Sequence, residues 1–237
     1  MSVTESFLER YTREFDFFRE AARICAQKCE AALVQSGIRA IVTYRAKNPE
    51  RLRDKVGARN KEKKYKRTDQ IFKDIVDLAG VRIALYFPGD MEEVERLTQT
   101  IMDVEESKRF PDKDVEPAYS KRFSGYSARH YRVKLRSADL SDIDKRYSHA
   151  LIEIQVASIL VHAWAEVEHD LVYKPLSGKL SEDEYAILDE LNGLVLAGEI
   201  ALERLQRAGE QRVRTAKERF SNHYELADYI FTKVSSG

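Results

Sequence analysis

The sequence predicts an α+β domain with helical additions at both ends, and three observations carry that prediction. Residues 5–35 and the chain beyond Pro175 show helical periodicity, whereas the stretches between them alternate apolar and polar residues as strands do. One of those stretches, Ile152–Val156, runs almost directly into a helix. The organisation expected is an N-terminal helix over residues 1–37, a core over 38–176, and C-terminal helices over 177–237 that pack on the core or build a homo-oligomer interface.

With 237 residues and 43% hydrophobic content, the chain is long enough for a packed core. Charged residues make up 34%, yet 40 basic and 40 acidic side chains cancel, so any electrostatic message is local. No apolar run approaches the roughly 20 residues of a membrane span. The opening MSVTESFLER lacks the apolar core of a signal peptide, so a soluble cytoplasmic protein without membrane contact is expected. Cys25 and Cys29 lie one helical turn apart, a spacing that suits neither a disulfide nor a complete zinc site; buried thiols are expected.

In order along the chain, Phe7, Tyr11, Phe15, Phe18, Ala22, Cys25, Cys29 and Leu33 step by three or four and predict one long amphipathic helix, ended by Gly37. Arg39–Tyr44 reads as a strand. From Arg45 to Arg67, eleven Lys or Arg face three acids, a local charge of +8. Such a segment is either a solvated helix face or a cradle for polyphosphate, and residue types alone leave both open. A helix around Gln70–Val76 and a turn at Asp77–Gly80 lead into the strand Val81–Phe87, closed by Pro88-Gly89. Met91–Met102 is helical and serves as a crossover. Glu105–Lys121, polar and with two prolines, is expected to be a loop. Phe123–Leu135 turns at a glycine and then alternates through Tyr131, Val133 and Leu135. Tyr126 and His130 stand at its start, where a tyrosine is either an ordinary edge residue or a face for stacking a purine.

The stretch Ile152–Lys174 carries the chemistry. Ile152, Ile154 and Val156 share one strand face and Glu153 and Gln155 the other. The helix that follows places Ile159, Ala163, Val167 and Leu171 on one stripe and His162, Glu166 and His169 on its neighbour. Asp77, at the entrance of another strand, supplies a second carboxylate. Two carboxylates on strands of one sheet form a magnesium and general-base pair. The histidine stripe lacks the order of a HExxH zinc motif, and SGKLS near Lys179 is not a phosphate-binding GxxxxGK[ST] loop, so any ATP site is built differently. Beyond Pro175, Ser181 with Glu184 forms a capping box opening a helix that bears Ile187, Leu188, Leu191, Leu194, Val195, Leu202 and Leu205. Asn222 with Glu225 opens a last short helix.

Taken together, YRAKNPERLRDKV, DLAGVRIALYF, SGYSARHYRVKL and EIQVASILVHAWAEVEHDLVYK, in that order between about Arg39 and Lys174, resemble the four motifs of the RelA/SpoT synthetase domain in its small single-domain form. The resemblance implies a mixed sheet of about five strands flanked by helices, related to nucleotidyltransferases. It implies transfer of the β,γ-pyrophosphoryl group of ATP to the 3′-hydroxyl of GTP or GDP, making the alarmones pppGpp and ppGpp. By the same resemblance Asp77 and Glu153 hold Mg2+ and Glu153 takes the acceptor's proton. Arg45, Lys47, Lys55 and Arg82 bind ATP, while Tyr126, His130 and Gln155 line the acceptor side. Two departures stand out: Ala128-Arg129 where the family commonly has Ser-Leu, and Ala157-Ser158 where it commonly has Arg-Thr.

Two other readings compete. Some members of this fold act as toxins that pyrophosphorylate ATP or the tRNA 3′ end, and the +8 segment and Arg129 suit an RNA acceptor as well as a triphosphate. A nucleotide sensor without catalysis is the alternative from another class, although a sensor gains little from a carboxylate pair such as Asp77 and Glu153.

Overall fold

The computed structural model describes residues 2–110, 127–172, 180–215, 220 and 222–235. Its centre is a five-stranded mixed sheet of β1 (Ala40–Ala46), β2 (Ala79–Leu85), β3 (Met102–Phe110), β4 (Ala128–Leu135) and β5 (Ile152–Ser158), in the order β1-β2-β5-β4-β3. β2 and β5 run parallel and the other neighbours antiparallel. The α+β class with a mixed sheet of about five strands is therefore what the chain forms.

One sheet face is apolar. Val81, Ile83 and Leu85 of β2, Ile152, Ile154 and Val156 of β5 and Tyr131, Val133 and Leu135 of β4 are all at most 1% exposed. They face helix α2 (Phe15–Gln35), whose buried Ala22, Cys25 and Cys29 are small enough for close approach. The two thiols are buried and unbridged, as their spacing predicts.

The single helix expected over residues 5–35 is two, α1 (Val3–Arg13) and α2, with a bend at Glu14 (φ −95°, ψ 9°). The hydrogen-bond ladder continues through it, Glu14 N–H donating to Arg10 O and Phe18 N–H to Glu14 O. The bend divides one aromatic stripe between two surfaces. Phe7 packs at 4.6 Å centroid distance on Phe72 of α4 (Thr68–Asp74), and α1 also lies on α3 (Pro49–Lys63), while α2 follows the sheet. α2 ends as Gly37 predicts: at φ +73° its N–H reaches Val34 O, and Ile38 N–H reaches Leu33 O at 2.9 Å. A Cβ at Gly37 would also come within 3.0 Å of the Asp228 backbone nitrogen on α8 (His223–Ser235).

The +8 segment folds as α3, opened by Pro49 and capped by Asn48, whose Oδ1 accepts from Glu50 N–H at 2.8 Å and Arg51 N–H at 3.2 Å. Part of its charge is structural. Arg59 donates to Asp74 at 2.8 Å and Lys63 pairs with the same carboxylate, pinning α3 to α4.

Two further expectations need correction. Glu105–Phe110, expected as loop, completes β3; its charges are cross-strand partners, Glu106 to Arg132 and Glu105 to Lys134 at 2.7 Å, on an exposed edge strand. Residues 111–126, the rest of that expected loop together with Tyr126, lie outside the described residues. In α6 (Ile159–Val172) the stripe Ile159, Val167 and Leu171 is exposed, and Val161 and Trp164 are buried instead. Ser158 sets this phase: its Oγ accepts from Val161 N–H at 3.0 Å and turns Val161 onto Ala128 and Ala157.

α7 (Glu182–Thr215) opens with the expected capping box, Glu184 N–H donating to Ser181 Oγ and Ser181 N–H to Glu184 Oε2. Of its seven expected apolar residues only Leu188 is fully buried, while the inward face also carries Asp189 and Asn192. Further along, Gln206 Nε2 donates at 2.5 Å to Asp90, just after β2. Burial, then the charges of Asp228 on α8, Glu210 on α7 and Glu93 on α5 (Met91–Ile101), push the Asp90 carboxyl up to about 6, although the Gln206 hydrogen bond acts the other way. A carboxyl raised this far favours the folded state while protonated, and that contribution is lost as pH rises from its ordinary value through about 6. Asp90→Asn is therefore expected to stabilise the protein by about 1–3 kcal/mol at pH 8 and little at pH 4. Urea midpoints at the two pH values check this, and an equal shift at both would contradict it.

Candidate functional site

The sheet face opposite α2 is polar where β1, β2 and β5 meet, because strict alternation sends every second residue there. In register, Arg45 stands beside Gly80, Gly80 beside Glu153, and Arg82 beside Gln155; across the β4–β5 ladder His130 is opposite Gln155. Gly80 is the second residue of β2 rather than part of a turn, and it leaves the floor between Arg45 and Glu153 bare. Asp77 lies in the turn that enters β2, and Lys47 follows the last residue of β1.

These residues line a pocket of about 160 Å³ made by Tyr44, Arg45, Lys47, Asp77, Gly80, Arg82, Glu153 and Gln155, among others. It shares Arg45, Lys47, Asp77, Arg82 and Gln155 with a cleft of about 690 Å³ that adds Arg51, Lys55, His130 and, from α6, His162 and Glu166. Eight of the nine residues singled out in the sequence are thus brought together. The ninth, Tyr126, lies outside the described residues.

The charges interlock. Asp77 Oδ2 accepts from Lys47 Nζ at 2.5 Å and Oδ1 from Lys55 Nζ at 2.8 Å. Burial pushes the Asp77 carboxyl up, but the two ammonium groups outweigh it and hold the group below the usual carboxylate range. Glu153 behaves likewise. Burial raises it, the neighbouring His130 and the Gln155 amide lower it, and the net direction is down, against a smaller upward push from Asp77. His130 Nδ1 stands 3.6 Å from Glu153 Oε1, and Gln155 Nε2 donates to Glu153 Oε2 at 2.8 Å. Arg82 Nε donates in turn to Gln155 Oε1 at 3.3 Å, and its other end pairs with Glu166 of α6. Both carboxylates are therefore anionic at neutral pH, within a wall of cations; burial is the largest influence on Lys47 and Arg45 and holds both below their ordinary values.

His162, from the stripe considered for zinc, is neutral. Burial lowers it, and its Nε2–H donates to Ile83 O at 3.1 Å. Among the described residues no three His, Cys, Asp or Glu side chains gather to hold a metal on their own. Arg129, weighed as a cation for the acceptor, points to the other sheet face, 11% exposed and paired with Glu95 of α5. Ala157, where the family commonly has arginine, is buried against Ala128 and Val161, while Ser158 Oγ donates to Glu199 of α7 at 2.5 Å. The site is built without a cation from either departure.

Tyr11 and Glu166 are the contributors that sequence reasoning missed. Its place on the apolar stripe assigns Tyr11 to the core, yet its hydroxyl donates to Lys47 O at 2.6 Å, with Leu78 O at 3.3 Å. A hydroxyl on an otherwise phenylalanine-rich stripe was the available signal. Glu166 was placed beside the histidines, and nothing in its spacing ties it to Arg82.

Residues 44–177, more than half of the chain, match the sequence family described as a region found in RelA / SpoT proteins. No curated protein matches the sequence. Among solved structures, small alarmone synthetase 1 from Bacillus subtilis superposes with a TM-score of 0.65 at 20% identity, over 86% of this chain and 99% of that one. A GTP pyrophosphokinase family protein from Streptococcus pneumoniae gives 0.65 at 19% identity, over 85% and 95%. The Bacillus subtilis enzyme bound to its product pppGpp gives 0.63 at 20% identity, over 84% and 98%. The similarity spans nearly the whole of those chains and extends to their fold. Among the described residues no helix is long and apolar enough to cross a membrane.

Proposed function

The chain belongs to the RelA/SpoT family, and from that premise we propose that it is a synthetase that transfers the β,γ-pyrophosphoryl group of ATP to the 3′-hydroxyl of GTP or GDP. One observation carries the reading: Asp77, Glu153 and the cations Arg45, Lys47 and Arg82 line a single pocket on the polar sheet face. Transfer of this kind needs little covalent help from the protein. It rests on in-line placement and on charges that match those developing on the phosphates.

In this proposal the donor's phosphates lie along the cleft and take over the donors of Lys47, Lys55, Arg45 and Arg82, freeing the oxygens of Asp77. The acceptor's 3′-oxygen attacks the β-phosphorus, the bond from that phosphorus to the α,β-bridging oxygen breaks, and AMP leaves. Glu153, anionic and oriented by Gln155, accepts the hydroxyl proton, with His130 beside it on the acceptor side. Tyr126 is assigned to stacking the acceptor's base.

The donor set fits Mg2+. Asp77 and Glu153 are hard, ionised oxygen ligands in one pocket, and two carboxylates leave the remaining positions to water and phosphate, as magnesium prefers. When bound, the ion would neutralise phosphate charge and acidify the attacking hydroxyl.

The test is a transfer assay with γ-labelled ATP and magnesium, with GDP, GTP, ATP alone or uncharged tRNA as acceptor. Label is expected on the guanosine nucleotides. Label only on ATP or tRNA keeps the chemistry and overturns the acceptor, and no transfer to any acceptor overturns catalysis.

A further inference from the structure

The larger cleft runs between two helices. Arg51, Asp54 and Lys55 of α3 line one side and His162, Ala165 and Glu166 of α6 another, so the position of α6 governs how wide the cleft stands. The first turn of α6 is tied at two points. His162 Nε2–H donates to Ile83 O on β2, and Ser158, the residue before the helix, caps it by accepting from Val161 N–H. Ser158 is 1% exposed, which leaves its hydroxyl to protein partners alone. A serine hydroxyl can donate or accept, and a cap needs it to accept. Glu199 of α7 removes the choice: its half-buried carboxyl group takes the Ser158 hydrogen at 2.5 Å, leaving the oxygen's lone pairs for Val161 N–H. The helices meet closely at this point. A Cβ on Gly198, the neighbour of Glu199, would come within 2.6 Å of Cδ1 of Leu160, which belongs to the same first turn of α6.

We propose that Glu199 is a positioning residue of the nucleotide site: through the Ser158 hydroxyl it fixes the first turn of α6, and with it the wall that α6 gives the cleft. Helix α7 is thereby coupled to donor binding, although no described residue of α7 lines the cleft. The kinetic consequence rests on the donor site proposed above. Asp77 and Glu153 stand on the β2 entrance and on β5, so a loosened α6 widens the cleft without moving them. Such a change weakens the grip on the donor and leaves the chemical step in place.

Transfer kinetics and nitrogen-15 NMR of the His162 imidazole test this on five proteins: the wild type, Glu199→Gln, Glu199→Leu, Ser158→Ala and the double variant Ser158→Ala with Glu199→Leu. Glu199→Leu is expected to raise the KM for ATP about tenfold and to hold kcat within about twofold. Burial holds His162 below its ordinary value, so in the same variant its protonation is expected to move up as the first turn loosens its hold on Ile83 O. Glu199→Gln, whose amide oxygen still accepts from Ser158, is expected to keep both readouts near the wild type. With Ser158→Ala in place, Glu199→Leu is expected to add nothing. An equal effect in both backgrounds, or a Gln variant as impaired as the Leu variant, would overturn the route through the Ser158 hydroxyl. A lowered urea midpoint with KM and His162 unchanged would reduce Glu199 to a stabilising contact, which also overturns it. If the wild type neither binds ATP nor transfers from it, the donor reading fails by itself, and the His162 signal across the five proteins still decides whether Glu199 positions α6.

Discussion

Glu153→Gln and Asp77→Asn are each expected to lower pyrophosphoryl transfer by about three orders of magnitude, the scale on which charge stabilisation of a phosphoryl transition state operates, while leaving the fold in place. Both changes keep side-chain volume, so no cavity opens. Glu153 sits on β5 between buried Ile152 and Ile154, and its amide replacement still offers Gln155 an acceptor. Asp77 lies in the turn before β2, where Lys47 and Lys55 lose their counter-ion but remain in reach of solvent. The losses are chemical. An amide neither accepts the 3′-hydroxyl proton nor serves as an anionic ligand for magnesium. The expected pattern is a collapse of kcat with native circular dichroism and cooperative unfolding, at a midpoint lowered for Asp77→Asn by the loss of the charge that Lys47 and Lys55 share. Substantial transfer by either variant would sink the assignment of these carboxylates.

Most of this site was legible because strand alternation is a local property. The reading of Ile152, Ile154 and Val156 as one face commits Glu153 and Gln155 to the other, and the sheet keeps that commitment. The same rule already told against Arg129. It precedes Tyr131 by two, so it shares the apolar face, and its partner there is Glu95 of α5. What sequence could not supply was neighbourhood. Period two says nothing about which strands pair, so the parallel β2–β5 contact that sets Gly80 beside Glu153 appears only in the folded sheet. β3 was missed because its outer half, Glu105–Phe110, is stabilised by charge pairs with Arg132 and Lys134 rather than by apolar burial. The phase of α6 was misread because the hydroxyl of Ser158, and not the apolar residues alone, fixes how the helix begins.

Tyr11→Ala is expected to cost about 3–5 kcal/mol of stability, the range for removing a large buried aromatic, and Tyr11→Phe about 1–3 kcal/mol, the cost of a buried acceptor left unmet. The ring is fully buried between Phe7, Phe15 and Phe18. Its hydroxyl gives the second, smaller effect its interest. It donates to Lys47 O, whose own N–H donates to Leu78 O at 3.0 Å, so one phenol ties together the exit of β1 and the entrance of β2. Those segments carry Lys47 and Asp77, the ion pair at the base of the cleft. Helix α1 thus reaches this junction through a phenol that stays protonated, because burial pushes the Tyr11 hydroxyl well above its ordinary value. Tyr11→Phe is accordingly expected to fold, to unfold at lower urea concentration, and to transfer about tenfold more slowly at saturating ATP, since a small misplacement of reacting groups carries a penalty of this order or larger. A Phe variant with wild-type midpoint and wild-type kcat would show that the β1–β2 junction holds Lys47 and Asp77 without help from α1.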